Sequence, residues 1–401
     1  MAKVKKSAVE WLLRGTDTVI PQEELVARLV RAETEKRPLR VKLGIDPSAP
    51  HLTFGHSVPL RKMRQFQDLG HTGVLVVGDF TRRIGDPSGR SSTRALMSQA
   101  DIERNMATYK DQAFKILDPE KTEVRFNSEW LGAMTFADVI HLTAKYTVAR
   151  MLERDDFAKR YAEGRPISVL EFLYPLAQAY DSVAIHADVE LGGADQLFNL
   201  LVGRDIQREY GQEPQIVMTV PLLVGIDGER AMSQTVGNYV GIGEPAGVMY
   251  GKILSIPDPL IEPYYTFLTD VALDDVSGEI VSSPRDAKRR LARTLVSKYH
   301  GQDAAVAAEE EFDRIHIQHE RPIEVERVTL DRSLLKGGGT IWIIDLLQAS
   351  GLVASRSEAK RVIQQGGVRV NEERIESPDM DVPFAPPVLV QVGKRSFVEL
   401  V

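Results

Sequence analysis

This sequence predicts an α/β protein organised on a parallel sheet, and three observations predict it. A short apolar run, Val41 to Ile45, opens with Arg40. A helical pattern follows with Val58, Met63, Phe66 and Leu69 on one side, and then a second apolar run, Val74 to Val77. Strand, helix and strand within about 35 residues read as one right-handed βαβ unit. Its first loop, Gly44 to His56, carries two glycines and two prolines and lies at the carboxyl edge of the sheet, where open α/β folds bind nucleotides. The third observation is bulk composition: 401 residues, 43% apolar and 27% charged, enough for two or three globular domains. The expected class is α/β with a Rossmann-like parallel sheet.

Composition excludes several chemistries. With no cysteine there is no disulfide, no thiolate nucleophile and no cysteine-ligated zinc, which suits a cytoplasmic enzyme. No apolar run approaches the roughly 20 residues of a membrane span. Lys3, Lys5 and Lys6 are followed by Glu10 and Arg14, which is not a secretory pattern. The net charge of −7 means that any nucleic-acid contact comes from local patches. Residues 1–39 read as a helical, charged lead-in.

The Gly44–His56 loop contains neither G-x-G-x-x-G nor the P-loop pattern, so it is not an ordinary dinucleotide or P-loop site. A helix start near Gly55 would aim unsatisfied N–H groups at a phosphate. The stretch resembles the nucleotide signature of the class I aminoacyl-tRNA synthetases, and in context their tyrosine branch. Gly44, Asp46, Pro47, Ala49, Leu52, Gly55 and His56 match; Ser48 replaces a threonine, and Thr53 stands at the first signature histidine. The resemblance makes Thr53 and His56 catalytic positions and Gly44, Asp46, Ser48, Gly55 and His56 ATP-binding. Lys42 stands where some members place a tyrosine against the substrate phenol.

The match continues in order. Gly78 to Arg90 is a turn-rich loop in which Asp86 is suited to a substrate ammonium, with Arg90 and Arg94 available for phosphate or RNA. Arg82 takes a place that the family usually gives to a small residue. Residues 95–165 read as helices with a few short strands, and the resemblance implies an insertion there between the two sheet halves, used for dimerisation and the acceptor end of tRNA. Ser168 and Glu171 form a capping box at a helix start. That helix presents Tyr174, Gln178 and Asp181 on one face. Three polar groups there are either a satisfied core network or a pocket for an amino acid with a polar ring. The resemblance assigns the phenol hydroxyl to Asp181 and the α-amino group to Tyr174 and Gln178. In the loop Gly192-Gly193-Ala194-Asp195-Gln196 it places Gly193 and Asp195 on ATP and Gln196 near the amino-acid carboxylate.

Ala231-Met232-Ser233-Gln234-Thr235 occupies the second class I signature, K-M-S-K-S, with Ala231 and Gln234 in place of both lysines. The resemblance makes Ala231, Gln234 and Thr235 catalytic positions and Met232 an ATP contact. Lost ammonium groups cost stabilisation of the charge that builds on departing pyrophosphate; His51, Arg82, Arg83 and Arg90 are the nearby candidates to replace it. Residues 241–335 read as helical with breaks at Pro257, Pro259 and Pro263 and resemble the family's anticodon-side domain, and Gly337-Gly338-Gly339 reads as a linker. From 337 to 401 the pattern resembles the S-four RNA-binding domain, with Arg356, Lys360 and Arg361 facing one way and Arg369 nearby as RNA contacts.

The resemblance thus implies a catalytic domain over 1–240, a helical domain and a small α+β RNA-binding domain. It implies ATP with magnesium, tyrosine, tRNA(Tyr), a homodimer and no membrane partner. A diverged paralogue with another substrate or acceptor, and a non-catalytic RNA-binding protein, remain open at this point because both lysines and the first histidine are replaced.

Overall fold

The computed structural model describes residues 6–45, 51–85, 99–316, 325–393 and 396–401. It centres on a six-stranded sheet: β1 (Thr18–Ile20), β2 (Arg40–Ile45), β3 (Thr72–Val77), β4 (Thr122–Phe126), β5 (Val189–Gly193) and β6 (Ile216–Val220). The spatial order is β1-β6-β5-β2-β3-β4. All pairings are parallel except that of β1 on β6. From β2 the chain winds outward through β3 to β4, then returns to β5 on the other side of β2. The strand order therefore reverses between β2 and β5, and a crevice opens beyond their carboxyl ends, where ligands bind in such sheets. Val74, Leu75, Val76 and Val77 are all buried, as expected of a central strand covered on both faces.

The chain divides into two compact units, Met1–Pro245 with Lys252–Tyr299, and Ala246–Gly251 with His300–Val401. In the first, the sequence reading needs two corrections. β4 lies inside the segment expected to be an insertion, yet it pairs with β3 along Thr122–Phe126 and is the outer strand of the main sheet. The charged lead-in also contributes β1, which at three residues is too short for an alternating pattern to register. The expected βαβ unit is present, with its helix at Phe54–Asp68. Among the proline breaks, Pro263 instead sits in the first turn of the Ile261–Leu268 helix, where its missing N–H has no partner to lose.

The second unit holds the helix Gln302–His316 and a small α+β body. Strands β7 (Glu326–Val328), β9 (Val368–Val370), β10 (Glu373–Arg374), β12 (Val388–Val392) and β13 (Ser396–Leu400) form a sheet in the order β10-β9-β12-β13-β7, and β8 (Thr340–Trp342) pairs with β11 (Asp381–Pro383). Ile341, Ile344, Leu347, Ala359, Ile363, Val390 and Val398 fill its core. The boundary expected at 337 is corrected here. β7 pairs with β13, so the small body includes residue 326. Gly337–Gly339 is a tight turn, not a linker: Lys336 N–H donates to Thr340 O at 2.8 Å, and Gly338 and Gly339 have φ of 98° and 74°, the left-handed region that glycine enters at little cost. Among the described residues no helix is long and apolar enough to cross a membrane.

Candidate active site

Two distant stretches are held together by backbone. Phe54 N–H donates to Val240 O at 2.9 Å and Ile242 N–H to Leu52 O at 2.8 Å. The first signature is thereby docked on the segment that follows the second. Thr53 caps the Phe54–Asp68 helix in a box with His56. Thr53 N–H donates to His56 Nδ1 at 3.2 Å, and Thr53 Oγ1 lies 2.8 Å from the same nitrogen. An Nδ1 that accepts a backbone N–H carries a lone pair, so the neutral ring has its proton on Nε2, available as a donor. Thr53, in the place of a histidine, thus orients the remaining one.

The second signature is braced from behind by the buried Asn238 amide. Its Oδ1 accepts Ser233 N–H at 2.8 Å, and its Nδ2 donates to Asp227 Oδ2 at 3.0 Å and to Ala231 O at 3.3 Å. Gly225 packs so close to Asn238 that a Cβ there would collide with it. Gln234 Nε2 donates to His51 O at 2.5 Å, and Met232 lies against Gly55. Gln234, Met232, Thr53 and His56 are therefore gathered at one place, while Ala231 and Thr235 lie exposed on the same loop.

The residues expected to take the amino acid lie on the Val169–Ala184 helix, which runs continuously through Pro175. Ser168 N–H donates to Glu171 Oε1 at 2.8 Å, and Ser168 Oγ accepts Leu170 N–H at 3.3 Å and the N–H of Glu171, closing the expected box. Asp181 is buried; its Oδ1 accepts Trp130 Nε1–H at 2.8 Å and its Oδ2 accepts Asn127 Nδ2–H at 3.3 Å. Burial pushes its pKa up to about 7, against the pull of the Lys42 charge and these two donors. Tyr174 and Gln178 are half-buried on the same helix. Gln178 Nε2 donates to Glu190 Oε1 at 3.4 Å, which leaves Oε1 as the end of the amide able to accept.

On the opposite side, β5 ends in Gly193 beside Asp195 and Gln196. A Cβ on Gly193 would come within 2.5 Å of Asp195 Oδ1, so a larger residue there would displace the Asp195 carboxylate. Gln196 Oε1 accepts Asn199 Nδ2–H at 2.9 Å. Gly44 lies one residue beyond the Leu43–Leu191 pair, with open space on the side where a Cβ would stand. Asp46, Ser48, Asp86, Arg90 and Arg94 lie outside the described residues. Sequence reasoning misses Trp130, Asn127, Ser182 and Glu190. Only Glu190 carries a signal there, a carboxylate within the apolar run Val189 to Leu191.

In the second unit Arg356, Lys360, Arg361 and Arg369 are all exposed. Arg356 lies 3.2 Å from Asp345 and over the Trp342 ring, Arg361 lies 3.3 Å from Glu358, and Arg369 donates to Glu372 O at 3.1 Å. The expected single face needs correction: Arg361 lies five positions after Arg356, which turns it well around the helix. Among the described residues no group of three His, Asp or Glu side chains is placed to hold a metal ion.

Comparison with known proteins agrees with this geometry. Residues 34–316 match the family described as tRNA synthetases class I (W and Y), and residues 341–384 match the S4 domain. A tyrosine–tRNA ligase of Thermotoga maritima is 52% identical over 98% of this chain and 96% of its own length. That of Moorella thermoacetica is 50% identical over 97% and 94%. The crystal structure of a C-terminally truncated mitochondrial tyrosyl-tRNA synthetase from Aspergillus nidulans superposes with a TM-score of 0.63 at 25% identity, covering 77% of this chain and 94% of that one. The chain belongs to the class I tRNA synthetases of the tryptophan and tyrosine (W and Y) family and carries an S4 domain.

Proposed function

We propose that the protein is a tyrosine–tRNA ligase. The tyrosine carboxylate attacks the α-phosphate of ATP, giving tyrosyl-adenylate and pyrophosphate; the terminal ribose hydroxyl of tRNA(Tyr) then takes the tyrosyl group. No side chain acts as a nucleophile, and catalysis is positioning with electrostatic stabilisation. The observation that carries the reading is the buried Asp181 carboxylate on the crevice helix. It is an acceptor suited to a phenol O–H, and a substrate lacking that hydroxyl leaves it with a lone pair unmet. Gln178 and Tyr174 would take the α-amino group and Gln196 the carboxylate. Asp195 would hold the ribose, and Gly44, Gly55, Gly193 and Met232 would frame the nucleotide. His56 would donate from Nε2 to phosphate. Magnesium would enter with ATP as its counter-ion.

Asp46, Ser48 and Asp86 keep their proposed roles by family match alone. RNA binding would fall to Lys360, Arg356, Arg361 and Arg369, and the chain would work in the cytoplasm as a homodimer. Support for pairing comes from the segment 135–170, which exposes Phe136 at 80%, Val169 at 78%, Tyr161 at 69% and Val148 at 60%, apolar side chains that a partner subunit would cover. ATP–pyrophosphate exchange with tyrosine and with phenylalanine tests the reading: exchange is expected with tyrosine and at least about 10³-fold weaker with phenylalanine. Equal exchange with both rejects it.

A further inference from the structure

We infer that Arg154 and Asn199 form a polarity relay that fixes which end of the Gln196 amide faces the substrate. The inference deepens the proposed reading and rests on Gln196 as the partner of the amino-acid carboxylate. Arg154 is 6% exposed and Asn199 is 2% exposed, both within the first unit. The Arg154 guanidinium lies over the Phe157 ring, 5.2 Å from its centre, and its Nε is 2.7 Å from Asp156 Oδ1. Its Nη1 donates to Asn199 Oδ1 at 3.4 Å, and Asn199 Nδ2 donates to Gln196 Oε1 at 2.9 Å.

The chemistry of the first link determines the rest. A guanidinium has five N–H donors and no acceptor. Asn199 must therefore turn its oxygen toward Arg154 and its NH₂ toward Gln196. A flipped Asn199 would set N–H against N–H at one end and oxygen against oxygen at the other, in a buried site where each mismatch is costly. Gln196 in turn commits Oε1 to Asn199. The end it presents to the crevice is Nε2, which also donates to Asp195 Oδ2 at a long 3.4 Å. A carboxylate can only accept, so the amide is presented the right way round before substrate arrives. Glutamine alone carries no such preference, because its two ends have nearly the same shape. Arg154 and Asn199 are thus positioning residues, separate from the groups that touch tyrosine.

The test uses calorimetric dissociation constants of tyrosine and of tyrosinol, which lacks the carboxylate, on the full-length protein. Asn199→Asp keeps shape and can still meet Arg154, but it only accepts, so Gln196 must turn Nε2 inward and offer oxygen to the substrate. The relay predicts that Asn199→Asp weakens tyrosine about tenfold or more and tyrosinol by less than about twofold. Arg154→Lys, a donor without acceptors, should bind tyrosine within about twofold of wild type. Arg154→Gln, which can present either end, should weaken tyrosine severalfold and selectively. These two variants carry the test if Asn199→Asp does not fold. Equal weakening of tyrosine and tyrosinol, or unchanged tyrosine affinity in Asn199→Asp and Arg154→Gln, overturns the relay. Wild-type protein that binds no tyrosine overturns the functional reading instead.

Discussion

Lys42 and Glu190 stand opposite each other on β2 and β5, Nζ to Oε1 2.8 Å, with side-chain exposures of 0% and 1%. The ammonium has three donors, and the remaining two go to Gln178 O and Ser182 Oγ, each at 2.9 Å. Glu190 also accepts from Ser182, Gln215 and Gln178. Lys42 is therefore fully engaged within the protein. Its contribution is to brace the helix that carries Gln178 and Asp181.

Removing one member of this pair strands the other. Lys42→Met should cost about 3–5 kcal/mol in urea unfolding, and Lys42→Met with Glu190→Gln together should recover more than half of that. A double variant as unstable as the single one would mean that the cost lies in packing, not in the uncompensated carboxylate.

Asp181 gives a pH dependence whose sign is fixed by its raised pKa of about 7 against an ordinary 3.8. Between those values the folded protein holds more protons than the unfolded chain, so this group makes stability fall as pH rises from about 4 to 7. Asp181→Asn should abolish that slope. The variant is expected to gain roughly 1–3 kcal/mol relative to wild type at pH 8, to gain nothing below about pH 4, and to lose tyrosine activation. Unfolding midpoints at pH 4, 6 and 8 check it; a pH-independent difference contradicts it.

The second signature has kept its frame and lost its charge. Asn238 braces the loop, and Gln234 ties it to His51 in the first signature; on the proposed reaction, what is missing would be cation density at pyrophosphate, needed most in the transition state. Gln234→Lys and Ala231→Lys should each raise single-turnover adenylate formation about tenfold with little change in tyrosine affinity. No gain from either, together with abolition by Arg82→Ala, would place the charge role on Arg82.

The S4 body starts before the glycine turn. Deleting 325–401 should leave adenylate formation within about twofold and weaken tRNA charging, whereas cutting at 337 leaves β7 without its partner β13 and should lower solubility as well. Filter binding of tRNA at one stated salt concentration, beside pyrophosphate exchange, separates the two steps.

What is legible in the sequence is what repeats locally or sits in contiguous motifs. The βαβ unit, the Ser168–Glu171 box and the Tyr174-Gln178-Asp181 face follow from periods of 2 and 3.6. β1 is not legible, because three residues carry no period; short strands are expected within 95–165, but nothing local tells that one of them, β4, pairs with β3 in the main sheet. Asn127 and Trp130 reach Asp181 from about 50 residues away, and nothing in their neighbours' pattern announces that meeting. The same holds for Arg154, an arginine among several in a charged helical region until its burial singles it out. Composition alone makes the Gly337–Gly339 run a linker, and the cross-turn hydrogen bond that makes it a corner is not a compositional property.

β1 pairs with β6 across about 200 residues, Thr18 opposite Thr219. During synthesis the first strand thus waits, unpaired, until nearly all of the sheet has left the ribosome, and β6 keeps a raw edge until β1 returns to cover it. A pairing of such sequence separation is slow to find, and an uncovered strand invites neighbours in the meantime. Truncations or tags that displace the first twenty residues are therefore expected to reduce the yield of folded chains far more than the activity of those that fold.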